Sequence, residues 1–151
     1  MTDIFGLLKG NPEDADYCKK GVIVQGITGS YGSLHAKQMI AYGTNVVAGV
    51  TPGKGGQKFE ETIPIYNSMQ EAVDATNAKI SIIYVPAKFF LAAAKDALNA
   101  GIKLLVAIPE HVPIRDTMEA LELANQKGAV IIGPNTPGTV SYTHLTLPTK
   151  A

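Results

Sequence analysis

The sequence predicts an α/β fold: a doubly wound parallel sheet of about five strands with flanking helices. Three observations carry this expectation. Short apolar runs alternate along the chain with segments of helical spacing. The runs are apolar at successive positions, as in strands covered on both faces. Each run ends in residues rich in glycine, proline or small polar side chains, so unusual turn chemistry recurs at one end of every strand.

The elements follow in order. Val22-Ile23-Val24 opens the first strand, read over 22–26, and Gly26-Ile27-Thr28-Gly29-Ser30-Tyr31-Gly32 turns into a helix over 33–42. Ala36, Met39 and Ile40 share one face of that helix, and Gly43 stops it. A second strand spans 45–50. Ser68-Met69-Gln70-Glu71 is a capping-box pattern opening a short helix through Ala75. A third strand covers 80–85. The segment 88–100 places Phe89, Phe90, Ala93, Ala94, Ala97 and Leu98 on one stripe, closed by Gly101. A fourth strand spans 103–108. Pro113 starts a helix that spaces Ile114, Met118 and Leu121 helically and ends before Gly128. The last strand spans 129–133. This alternating β-α order implies a doubly wound, Rossmann-like parallel sheet.

Composition narrows the function classes. The 151 residues suffice for one domain with a real core, and the 46% hydrophobic content argues against disorder. Thirteen basic residues balance thirteen acidic ones, so no global charge draws the chain to nucleic acid or to a membrane surface. A single cysteine, Cys18, leaves neither a disulfide framework nor a cysteine-rich metal site, and it fits a reducing, cytoplasmic setting. The N-terminus shows no signal-peptide pattern, and no apolar run is long enough to span a bilayer. The histidines show no metal-ligand spacing, so no metal is expected.

In a doubly wound sheet the ligand lies beyond the carboxyl ends of the strands. The first turn has the chemistry of a phosphate cradle. Its glycines let the backbone approach an anion, the N–H groups of the next helix point at it, and Thr28 and Ser30 add hydroxyl groups. A dinucleotide, a mononucleotide and coenzyme A would all use such a turn. The second strand runs into Thr51-Pro52-Gly53-Lys54 without the Asp or Glu that usually holds a nicotinamide dinucleotide's ribose. Lys54 instead offers an ammonium to a phosphate. An NADP site could use a cation there as well, so the residues alone leave the ligand open.

Residues 25–56, "QGITGSYGSLHAKQMIAYGTNVVAGVTPGKGG", resemble the N-terminal coenzyme A-binding domain of the succinate–CoA ligase α subunit. "SIIYVPA", "AGIKLLVAIPE" and "IIGPNTPG" come next in that family's order, and the similarity covers about residues 20–139. The resemblance implies coenzyme A as cofactor. Thr28, Gly29, Ser30 and Tyr31 match the turn that holds it, Lys54 matches the residue that reaches a coenzyme phosphate, and Ile108, Pro109 and Glu110 match the contact segment after the fourth strand. The family usually has a hydroxyl residue where Pro109 stands, so one side-chain donor and one N–H are missing here. It commonly has cysteine where Thr136 stands.

The resemblance further implies an acid–thiol ligase, ADP- or GDP-forming, that joins succinate to coenzyme A with a β subunit as partner. In the family a histidine in the next domain carries the phosphate, and His35, His111 and His144 do not match it. The chain alone is therefore expected to be inactive. His35 is read as a helix-packing or capping residue, and Glu60-Glu61 as solvated charge in an irregular stretch. The expected organisation is an N-terminal extension over 1–20, a coenzyme A-binding domain over 21–139 and a tail over 140–151. That tail departs from the family and is similar to a translated sequencing adapter, so it is expected to be non-native. Two alternatives stay open. One is a freestanding coenzyme A-binding regulatory module, and the other is a nucleotide-dependent oxidoreductase domain.

Overall fold

The computed structural model describes residues 21–134. The N-terminal extension, the Asn135–Gly138 loop, His144 and the tail lie outside the described residues. Strand β1 (Val22–Gln25) leads to helix α1 (Ser30–Tyr42) and β2 (Val46–Val50). Two short strands come next, β3 (Lys58–Phe59) and β4 (Ile63–Tyr66), then α2 (Met69–Thr76) and β5 (Ile80–Ile83). A 3-10 turn (Ala87–Phe89) enters α3 (Phe90–Asn99), and β6 (Leu104–Ala107), α4 (Ile114–Gln126) and β7 (Val130–Ile132) complete the order.

The strands form one seven-stranded sheet in the order β3-β4-β2-β1-β5-β6-β7, parallel except for the β3–β4 pair. The order reverses direction between β1 and β5, where Ile23 lies opposite Ser81, and this places the switch point at the centre of the sheet. All five expected strands are present. The expectation of about five missed β3 and β4 at one edge. Pro64 interrupts that run and lacks an N–H, so Ile63–Tyr66 reads from sequence as irregular. The Ile65 N–H instead reaches the Gln57 carbonyl at 2.9 Å and helps secure the edge.

The paired acids Glu60-Glu61 are exposed, as expected of solvated charge, and lie in an ordered turn. They form the corner between β3 and β4 with φ of 50° and 63°, and Glu60 pairs with Lys37 of α1 at 3.0 Å.

The sheet divides the core in two. Val24, Ile27, Ala36, Val46, Phe59, Ile63 and Ile65 pack beneath α1 on one face. The larger cluster on the other face includes Met69 and Val73 of α2, Phe90, Ala94 and Leu98 of α3, and Ala120 and Ala124 of α4. Burying Phe90 and Leu98 contributes about 1.5–3 kcal/mol each. Two polar side chains are buried inside the sheet and satisfy one another. Ser81 Oγ donates to the Ile23 carbonyl at 3.0 Å, and Gln25 Nε2 donates to Ser81 Oγ at 3.3 Å.

Helix ends obey their sequence signals. Ser68 Oγ accepts from the Glu71 N–H at 3.3 Å, while the Glu71 carboxylate accepts from the Asn67 N–H at 3.2 Å rather than from Ser68. Helix α1 begins at Ser30, three residues earlier than expected, and Ile40 lies partly outside its packed face.

Two apolar stripes also differ from expectation. Phe89 is 52% exposed, because the 3-10 turn swings it off the α3 core face. Ile114, Met118 and Leu121 are 79%, 65% and 44% exposed, since α4 packs inward through alanines instead. Ala120 and Ala124 are the buried residues of α4, so its alanine face turns to the core and the larger residues turn outward.

Candidate functional site

The site begins with the β1–α1 turn. Gly26 adopts φ of 79°, and its carbonyl accepts from the Gly29 N–H at 3.0 Å. A Cβ at Gly32 would meet that same carbonyl oxygen well inside van der Waals contact, so this position has no room for a side chain. Helix α1 has Gly29 as its N-cap, without a side-chain cap and without an acid in its first turn. The N–H groups of Ser30, Tyr31 and Gly32 fall where a helix supplies no acceptor of its own. They leave a positive helix end open beside the sheet edge.

A second loop closes on the turn. Thr28 Oγ1 donates to Thr51 Oγ1 at 3.2 Å, which links the β1–α1 turn to the end of β2. The Lys54 loop is organised by Asn67, a residue that no sequence pattern singles out. The Asn67 Oδ1 accepts from the N–H groups of both Gly53 and Gly55, each at 3.0 Å. A Cβ at Gly55 would run into the Asn67 amide. Asn67 lies fourteen and twelve positions from its partners, so no local signal could mark it.

A cleft of about 640 Å³ opens at this edge. Gln25, Gly26, Thr28 and Gly29 line it from the turn, and Val50, Thr51 and Pro52 from β2. Tyr84, Val85, Pro86 and Phe89 contribute from the β5 end, and Ala92, Ala93 and Asp96 from α3. Burial raises the Tyr84 hydroxyl pKa above the ordinary tyrosine range, so this wall is uncharged at neutral pH. Asp96 is the one carboxylate among the lining residues, and its Oδ2 accepts from the Met69 N–H at 3.0 Å. Lys88 Nζ lies 4.9 Å above the Phe89 ring at the rim.

Of the residues expected to hold a ligand, the cleft lining contains Thr28 and Gly29. Ser30 and Tyr31 are exposed on the first turn of α1, and Lys54 is exposed on its loop. Ile108, Pro109 and Glu110 come after β6 at the same sheet edge, outside the cleft lining. The Ile108 N–H bonds to the Ile83 carbonyl at 3.2 Å, and Glu110 is exposed.

His35 packs, one of the two roles expected for it, and does not cap the helix. Its ring stacks on Tyr84 with centroids 5.3 Å apart and on Tyr31 at 6.2 Å. His111 adopts φ of 60°, is exposed, and lies 4.0 Å from the Glu110 carboxylate. Among the described residues no group of three His, Cys, Asp or Glu side chains could hold a metal ion, and no helix is long and apolar enough to cross a membrane.

Known proteins are similar to this chain in sequence and in fold. The sequence is 50% identical over 122 residues to the ADP-forming succinate–CoA ligase subunit alpha of Methanothermobacter thermautotrophicus, covering 79% of this chain and 40% of that protein. It is 52% identical over 122 residues to the corresponding subunit of Aquifex aeolicus, covering 80% and 40%. The chain thus spans about 40% of the length of these relatives. Among solved structures, ATP citrate lyase of Methanosaeta concilii in complex with (3S)-citryl-CoA superimposes with a TM-score of 0.66 at 19% identity. That match covers 76% of this chain and 20% of the lyase, and it speaks to the fold alone. The pattern described as the CoA binding domain matches residues 18–111, most of the chain, and the chain belongs to the CoA binding domain family.

Proposed function

We propose that this chain binds coenzyme A across the carboxyl edge of its sheet and supplies it to reversible, nucleotide-dependent thioester formation with succinate. The observation that carries this reading is the pairing of an open α1 N-terminus with a lysine loop where a dinucleotide site would place an acid. The helix end and the Ser30 hydroxyl would receive a phosphate. Lys54 would meet a second phosphate, with its loop held by Asn67. Thr28, Gly29 and Tyr31 would border the same anion. Ile108, Pro109 and Glu110 would line the path beyond β6, with Pro109 contributing only apolar contact and a carbonyl. The uncharged wall formed by Tyr84, Val85 and Phe89 suits the arm that carries the thiol.

The α subunits it resembles support a ligase assignment, with a β subunit as partner and a phosphate-carrying histidine in the stretch of the family's chain after this domain. On this reading His35 and His111 do not carry phosphate, and the protein works in the cytoplasm. An oxidoreductase is disfavoured, because Val50-Thr51-Pro52 offers no carboxylate for a ribose and Asp96 is engaged by Met69. A freestanding binding module would use the same cleft and differ only in the domain attached to it.

The test is Lys54→Ala titrated with coenzyme A and with 3′-dephospho-coenzyme A. Loss of a charge-assisted hydrogen bond predicts weaker coenzyme A binding by about 1–3 kcal/mol. The dephosphorylated ligand should lose less. Equal losses on both would show that Lys54 does not meet that phosphate.

A further inference from the structure

The Tyr31, His35 and Tyr84 rings form a continuous stack. The His35 and Tyr84 planes lie within 5° of parallel at 5.3 Å, and the Tyr31 and His35 planes within 14° at 6.2 Å. The stack links two elements that no covalent connection holds at this edge. Tyr31 and His35 belong to one side of α1, and Tyr84 comes directly after β5. Its inner end, Tyr84, is a wall of the cleft, and its outer end, Tyr31, is 73% exposed. Among the described residues the His35 ring is held by these two rings and not by hydrogen bonds. Tyr84 packs against the cluster beneath α1, and its backbone N–H bonds to the Gln25 carbonyl at 3.0 Å. Its main chain is thus fixed by the sheet, while its ring stacks on His35.

We infer that His35 is a positioning residue for ligand binding, and that its imidazole holds the Tyr84 ring as the wall against which the uncharged thiol-bearing arm of coenzyme A lies. This rests on the coenzyme A reading above. On the coenzyme A reading the phosphates meet the α1 N-terminus and Lys54, and Lys54 lies outside the cleft lining, whereas Tyr84, Val85, Pro86 and Phe89 form an apolar side of the cleft. Freeing Tyr84 should therefore affect the arm and spare the nucleotide end.

The experiment titrates the wild-type chain, His35→Ala and His35→Phe with coenzyme A, and with adenosine 3′,5′-bisphosphate by competition. Loss of a stacked pair is worth about three- to tenfold in affinity. His35→Ala should lose that much for coenzyme A and keep its affinity for the bisphosphate while remaining folded. His35→Phe, which keeps a flat ring, should recover most of the loss. Unchanged coenzyme A binding by His35→Ala would overturn the inference, as would equal losses on both ligands or failure of phenylalanine to recover. A wild-type chain that does not bind coenzyme A would overturn the underlying reading and the inference with it.

Discussion

Replacing Gly32 by alanine sets two effects against each other at one position. Glycine within a helix costs about 1 kcal/mol relative to alanine, so propensity alone predicts that Gly32→Ala stabilises α1 by about that much. Packing predicts the opposite. The added methyl group would stand against the Gly26 carbonyl oxygen and beside its carbon, both backbone atoms that no rotamer change can move. That oxygen also accepts from the Gly29 N–H at 3.0 Å, so pushing it away strains the whole turn. Overpacking of this kind costs about 1–3 kcal/mol, and contact with backbone places it at the upper end. The net expectation is destabilisation by about 1–2 kcal/mol, with weaker coenzyme A binding as the cradle shifts. Gly29→Ala is the internal control, because its Cβ would lie 3.3 Å from the same oxygen and needs only a small adjustment. Denaturant melts of both variants, monitored by circular dichroism, read the difference. If Gly32→Ala were as stable as wild type, or cost no more than Gly29→Ala, the close turn–helix approach would not be the reason for glycine here.

Other contacts give outcomes of their own. Asn67→Ala should weaken coenzyme A binding while changing stability by no more than about 1 kcal/mol, since the freed Gly53 and Gly55 N–H groups can turn to water. Asn67→Asp keeps the acceptor oxygen but sets a negative charge beside Lys54, so it should hold the loop and still bind coenzyme A more weakly than wild type in the same titration. Ser81→Ala should cost about 1–3 kcal/mol in a denaturant melt, because it leaves the buried Gln25 amide without its partner. The hydrogen bond from Lys95, and after it the lysine's charge, holds the Glu119 carboxyl below the ordinary glutamate range. A carboxyl depressed in the folded state stabilises above its unfolded pKa, and that contribution is lost as pH falls through the folded one. Lys95→Met should therefore flatten the acid limb of a stability–pH curve, whereas an unchanged limb would show that the exposed pair contributes nothing. Ile114→Gln and Met118→Gln should leave the melting temperature within error, because both side chains face outward.

The parallel strands were legible because their apolar runs are bounded by turn residues, and the helix stops because glycine lies just beyond each of α1, α3 and α4. The β3–β4 edge was not, because a proline inside a two-residue pairing breaks the periodicity on which strand reading depends. The stripes at Phe89 and along α4 misled for another reason. Helical spacing shows which residues share a face but not whether that face meets a neighbour, and on α4 the alanines face the core. At the site, the cradle could be read from its glycines, since backbone approach to an anion demands them locally. Asn67, Tyr84 and Asp96 could not, because each acts through partners brought near only by the sheet.

The measurement that bears most directly on the central claim is a calorimetric titration of the wild-type chain with coenzyme A and, separately, with NAD. An open α1 N-terminus, the Lys54 loop and the missing acid after β2 together predict clear binding of coenzyme A at one site and markedly weaker binding of NAD. Equal or tighter binding of NAD would contradict the account.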